Sequence, residues 1–213
     1  MSVLAVPRLP SGLAASPADP VPLEDRVIDA ALRCVARWGI AKTTLDDVAR
    51  EAGCSRATVY RVVPGGKDGL IETVATREAT RFFAALADRL DAVADQGLEE
   101  VLVAGMAEAG HRFTSHPALQ YLLANEPEAV VPRLAFSEMD RVLRIATAFA
   151  TPWLARYLPE EQATRVAEWA TRLMLSYASC PADGVDIGDE ASVRSLVRTF
   201  ILPGLNRASD QSL

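Results

Sequence analysis

Arg56, Arg61 and Lys67 are the charged residues of the stretch from Ser55 to Lys67, and all three are cations. Ala57, Thr58 and Tyr60 stand among them, with Ser55 in front. A small basic face of this kind suits a protein that touches a few phosphates rather than one that coats a polyanion. Read as a short helix, the stretch presents Arg56, Ala57, Tyr60 and Arg61 on one side. Such a face fits the major groove of DNA, where arginine pairs with guanine and a small side chain permits close approach.

Two short helices must position that face. Thr44 followed by Asp47 has the form of a capping box, and acids suit the positive end of a helix. Ala52-Gly53-Cys54-Ser55 reads as a tight turn, with Ser55 as the N-cap of the next helix. Helices that meet at a steep angle need a small contact residue and a turn residue that tolerates a left-handed backbone. Ala49 and Gly53 supply these. Val59 then anchors the second helix against Leu45, Val48 and the helix before them, Val62 extends the buried face, and Pro64-Gly65-Gly66 ends the unit.

From Thr43 to Leu70 the chain reads TTLDDVAREAGCSRATVYRVVPGGKDGL. This resembles the DNA-binding segment of the tetracycline-repressor (TetR) family, TTxDDxAxxAGxSxxTxYxxF followed by a lysine that opens helix four. The resemblance implies that Thr44 meets a phosphate at the N-terminus of helix two, where free amides favour an anion. It also implies that Arg56, Ala57 and Arg61 lie along base edges, that Thr58 and Tyr60 bond phosphates, and that Lys67 adds one more such contact. Phosphate contacts set register and base contacts set sequence. The chain departs from the family pattern in two places. Val62-Val63 stands where His-Phe is frequent, which passes the apolar role of phenylalanine to Val63, and Pro-Gly-Gly is one residue longer than the commonest form.

The 213 residues are half apolar and carry a net charge of -6. The acid is uneven: residues 21–70 hold eight basic and seven acidic side chains, and residues 71–213 hold thirteen and twenty. Cys34, Cys54 and Cys180 follow no metal spacing and leave an odd thiol, as expected in a reducing compartment. With no apolar run long enough to span a membrane and no signal-peptide pattern, a cytoplasmic protein without a membrane partner is the expectation.

The remaining pattern is helical and predicts an all-α fold of about nine helices. Residues 1–21 read as a disordered tail, 22–68 as the helix-turn-helix domain, 69–206 as a helical ligand-binding and dimerisation domain, and 207–213 as a second tail. Helix one is expected to stop at Gly39, helix four to start near Lys67, and helix seven to run from Ser137 to Tyr157 with a kink at Pro152. Inside helix five, Gly105 and Gly110 each weaken the helix by ~1 kcal/mol relative to alanine, so close packing or room for a ligand is their expected reason.

Family resemblance also implies a homodimer and a small-molecule effector. Val166, Ala170, Leu173 and Tyr177 on helix eight, with Val193, Leu196, Val197 and Phe200 on helix nine, form apolar stripes suited to a two-fold four-helix interface, hence a palindromic operator. Phe83, Met106, Phe113, Tyr121, Phe149, Trp153 and Trp169 are the candidate lining of a mainly apolar effector pocket. A ligand-released repressor on a double-stranded DNA operator is the leading reading. An activator, or a helical interaction module whose helix-turn-helix only packs, is the alternative. No cofactor, metal pair or catalytic constellation is expected: His111 and His116 fall on different helix faces, and Glu108 with His111 has ordinary surface-pair spacing.

Overall fold

The computed structural model describes residues 22–129 and 139–205; both predicted tails, the Pro132 connector and Ser137 lie outside them. Nine α-helices and one π-helical segment form the main regular elements among the described residues, with further helical stretches at 127–129 and 202–205. They are α1 (Leu23–Lys42), α2 (Leu45–Ala52), α3 (Arg56–Val62), α4 (Gly66–Val93) and α5 (Leu98–Ser115). Then follow α6 (Pro117–Asn125), α7 (Met139–Leu154), α8 (Glu160–Ser179) and α9 (Glu190–Leu196), which widens into the π-segment Val197–Ile201.

The predicted stop at Gly39 is a kink: its φ of 80° and ψ of 174° break α1, and one further turn follows before Thr43. Proline at the first turn starts α6, where its missing N–H costs nothing. Pro152 is accommodated inside α7, which ends at Leu154, short of the expected Tyr157. Tyr157 instead sits past the helix, its hydroxyl donating to Ala94 O at 2.6 Å and accepting from Gly97 N at 3.1 Å. The π-segment is closed by Leu202 N–H reaching Val197 O, and the chain stays helical from there through Pro203 to residue 205.

Two main cores organise the chain. Val27, Ile28, Ala31, Cys34, Leu45, Val48, Ala49, Val59 and Val63 close the N-terminal head, joined by Leu70 and Val74 from the start of α4. Burial pushes the Cys34 thiol up from its ordinary value, with the carboxylates of Glu51 and Asp47 adding to the effect. Leu86, Leu90 and Val93, from the far half of the same α4, enter the second core with α5, α8 and α9. A smaller cluster of Val35, Ala118 and Leu122 fastens α1 to α6. Among the described residues, no helix is long and apolar enough to cross a membrane.

The two α5 glycines separate in role. A Cβ at Gly110 would overlap the backbone carbonyl of Ile187, so close packing explains this glycine. Gly105 faces the side chain of Leu90, at 3.1 Å from where its Cβ would stand, and lines a cavity. Gly110→Ala is therefore expected to lower stability by roughly 2 kcal/mol, as overpacking against immovable backbone does. Gly105→Ala is expected near neutral, because Leu90 can turn aside and alanine favours the helix by ~1 kcal/mol. Urea midpoints of the two variants check the contrast.

Candidate nucleic-acid interface

The head is built by local rules that the sequence states openly. Thr44 Oγ1 accepts from Asp47 N at 3.2 Å, and Thr44 N donates to Asp47 Oδ2 at 3.2 Å. The capping box is complete. The Thr44 hydroxyl also donates to that carboxylate at 2.5 Å and is the main reason that Asp47 titrates below its ordinary value. Gly53 ends α2 in the left-handed region, with a φ of 66°, which lets Cys54 N–H return to Ala49 O at 2.9 Å. Arg26 of α1 covers the last free carbonyl of α2, with Nη2 at 2.6 Å from Ala52 O.

Ser55 opens α3, its Oγ accepting from Thr58 N at 3.1 Å and lying 2.8 Å from Thr58 Oγ1. Val59 is buried under α3, and Val63 takes the buried place after it, while Val62 is half-buried. The opposite side carries Arg56, Ala57, Tyr60 and Arg61, all exposed. Arg56 is already ordered on this surface. Its guanidinium lies 5.6 Å above the centre of the Tyr60 ring, reaches the Tyr60 hydroxyl at 3.4 Å and pairs with Asp46 at 3.1 Å. The hydroxyl first, then the carboxylate, hold Arg56 above its usual pKa. Lys67 reaches back from the first turn of α4, its Nζ donating to Ala41 O at 3.0 Å. Thr44, Ser55, Arg56, Ala57, Thr58, Tyr60, Arg61 and Lys67 thus belong to the start of α2, to α3 and to the start of α4. Asp46 and Arg26 were not predicted, because their partners lie too far along the chain for any local motif.

The seven predicted pocket residues divide. Phe83, Met106, Phe113 and Phe149 line a cavity of about 290 Å³ enclosed by α4, α5, α7 and α8. Tyr121 does not: its ring lies beside Gly39. Trp153 stands behind Phe149, with ring centres 5.0 Å apart, and is held there by its indole N–H donating to Asp91 at 2.7 Å. Trp169 is 67% exposed on the outer side of α8.

The predicted dimer stripes need a larger correction. Val166, Ala170, Val193, Leu196 and Val197 are buried within their own chain, most of them in the second core, and so are spent before any partner arrives. Leu173 packs half-buried against that core, and Tyr177 is half-buried. Of the set only Phe200 faces outward, 63% exposed, across a shallow cleft from Trp169. The two helices are apolar on more than one side, and the stripe read from spacing is the inner one. Glu108 pairs with Arg112 at 2.5 Å rather than with His111, and His116 pairs with Glu78 at 3.0 Å.

A capped helix-turn-helix carrying an exposed, cationic second helix on an all-α body defines a DNA-binding transcriptional regulator. Residues 27–74 match the model of the family described as bacterial regulatory proteins, tetR family. The chain is 28% identical over 186 residues to the HTH-type transcriptional regulator AlkX of Mycobacterium tuberculosis, covering 84% of each chain. It is 26% identical over 187 residues to the HTH-type transcriptional regulator Rv1255c of the same organism, covering 87% of this chain and 86% of that one. The crystal structure of the TetR family repressor AlkX from Dietzia sp., implicated in biodegradation of n-alkanes, superposes with a TM-score of 0.58. Its identity is 22%, over 89% of this chain and 98% of that one, which speaks for the fold. Residues 27–74 thus carry a TetR-type DNA-binding domain, and over most of its length the chain is similar to regulators of that kind.

Thr44→Ala removes both the hydroxyl that caps α2 and the group that lowers the Asp47 pKa. A cost of about 1 kcal/mol is expected at neutral pH. A carboxylate with a lowered folded pKa contributes stability above its unfolded pKa, and that contribution is lost as pH falls through the folded one. The gap between wild type and Thr44→Ala should therefore narrow on acidification below pH ~4, which denaturation at stepped pH measures.

Proposed function

We propose that this regulator is a ligand-released repressor that binds a palindromic operator as a homodimer, with a mainly apolar small molecule as effector. The observation that carries the reading is the reach of α4. Leu70 and Val74 belong to the core of the head, while Phe82, Phe83, Leu86 and Leu90, on the same helix, line the cavity. A ligand that displaces the cavity wall moves a helix on which the head is built. In a dimer this changes the separation of two α3 helices, and operator affinity falls; coupling of this kind is typically ~1–3 kcal/mol.

The chemistry of the lining supports an apolar effector. Its walls are hydrocarbon and aromatic, and the Thr171 hydroxyl, a rare polar group there, already donates to Ala167 O at 2.8 Å. Such a site binds by area and shape. On the DNA side, Arg56 and Arg61 would read base edges beside the small Ala57. Thr44, Ser55, Thr58, Tyr60 and Lys67 would hold phosphates. For the dimer, Trp169 on α8 and Phe200 on the π-segment replace the buried stripe as the anchors, since large exposed aromatics are the residues that stable interfaces bury.

Selection of the purified protein against random duplexes at two salt concentrations tests the reading. An enriched palindrome whose binding weakens as salt rises supports it, whereas association insensitive to salt would favour a helical interaction module. On the selected duplex, Arg56→Ala is expected to lower affinity roughly tenfold and to relax preference at one position of each half-site. Lys67→Ala should weaken all sequences alike and reduce the salt slope by about one. The double variant Trp169→Asp, Phe200→Asp is expected to sediment as a folded monomer and to lose the palindrome while keeping its helical spectrum. A dimer that persists in that variant places the interface elsewhere.

A further inference from the structure

Between α1 and α2 the chain makes a turn that is held from three sides. Thr43, buried and polar, closes it by donating its N–H and hydroxyl to Gly39 O, at 3.3 and 2.6 Å. Lys67 holds the carbonyl of Ala41. The third hold comes from far along the chain. Glu126 Oε2 accepts from Ile40 N at 2.9 Å, and both its carboxylate oxygens accept from Ala41 N at 3.2 Å.

The local sequence builds this contact on both sides. Pro127 bars Glu126 from continuing α6, so the helix ends at Asn125 and the carboxylate is presented just past it. Gly39 takes the positive φ that turns the next two N–H groups the same way, and a Cβ there would overlap the Glu126 carboxylate. A carboxylate on two free amides is a charge-assisted N-cap supplied from another domain. Beneath it, Val35, Ala118 and Leu122 pack α1 on α6, with Ile40 against them. Thr44, which opens α2 and its proposed phosphate contact, is the next residue after the turn.

We propose that Glu126 is a positioning residue for DNA binding, which fixes the turn 39–43 against α6 and so sets where Thr44 and α2 stand relative to the C-terminal domain. This rests on the operator-binding reading above. Glu126 touches no proposed phosphate contact, and its own charge repels DNA. Its removal would raise affinity if charge alone mattered. A loss of affinity is instead expected, because each head must then be ordered when it meets the duplex.

The test compares Glu126→Gln and Glu126→Ala with Leu123→Ala, which trims the same α1–α6 contact and leaves the carboxylate in place. Hydrogen exchange of the Ile40 and Ala41 amides and affinity for the selected duplex are measured on the full-length protein. Glu126→Ala is expected to exchange both amides at least about tenfold faster and to lose about tenfold in affinity, within the usual range of coupling between sites. Glu126→Gln, which keeps one acceptor, should fall between. The salt slope should stay at the wild-type value, which separates positioning from a phosphate contact, and Leu123→Ala should leave both amides protected. If the wild-type chain selects no duplex, the operator reading fails and this role with it. If it selects one that Glu126→Ala binds within twofold of wild type, or if the amides stay protected in that variant, the positioning role alone is overturned.

Discussion

The continuity of α4 constrains everything else in this protein. Its first turns complete the core of a head too small to bury its own apolar faces, and its last turns complete the core of the body. A helix cannot bend sharply without a proline, a glycine pair or an inserted group. Between Leu70 and Val93 the α4 sequence holds no proline and no glycine, so displacement at one end is delivered to the other as rotation or translation. One cavity with room for a small molecule lies against its far half, and a second lies against its middle, along Val74 to Phe82.

The head itself is ordered before it meets DNA. The capping box fixes Thr44, the N-cap fixes Thr58, and Arg56 is held over Tyr60 by ring, hydroxyl and Asp46. Ordering in advance lowers the entropy lost on binding. It also sets a condition: on the proposed reading Arg56 would exchange Asp46 for a base edge, and the pair would act as a gate whose cost falls on every duplex and is recovered only on one that offers a good acceptor. An exposed pair in high dielectric is a low gate.

Much of the head was legible because its devices are local. A capping box, an N-cap serine and a left-handed glycine are read at spacings of three or four residues, and Val59 follows from the helical period, whereas the next buried place falls to Val63 rather than to the expected Val62. The body was legible as helices and less so as surfaces. Val166 and Val193 form good stripes by spacing, yet α8 and α9 have more than one apolar side, and spacing cannot say which side the chain itself uses. Trp169 and Phe200 stand exposed, and only packing distinguishes them from half-buried, cavity-lining aromatics such as Phe83 and Phe149. Tyr121 and Glu126 act across the α1–α6 contact, and no periodic pattern links residues so far apart.

The most direct measurement is a titration of the protein–duplex complex with a graded series of n-alkanes and n-alkanols. It is run on wild type and on Ala109→Trp, which fills the cavity from α5. A member of the series that raises the melting temperature of wild type, and not of Ala109→Trp, is expected to weaken duplex binding by about five- to 150-fold in wild type alone. A molecule that stabilises wild type through the cavity and leaves duplex affinity unchanged would contradict the coupling of cavity to head through α4.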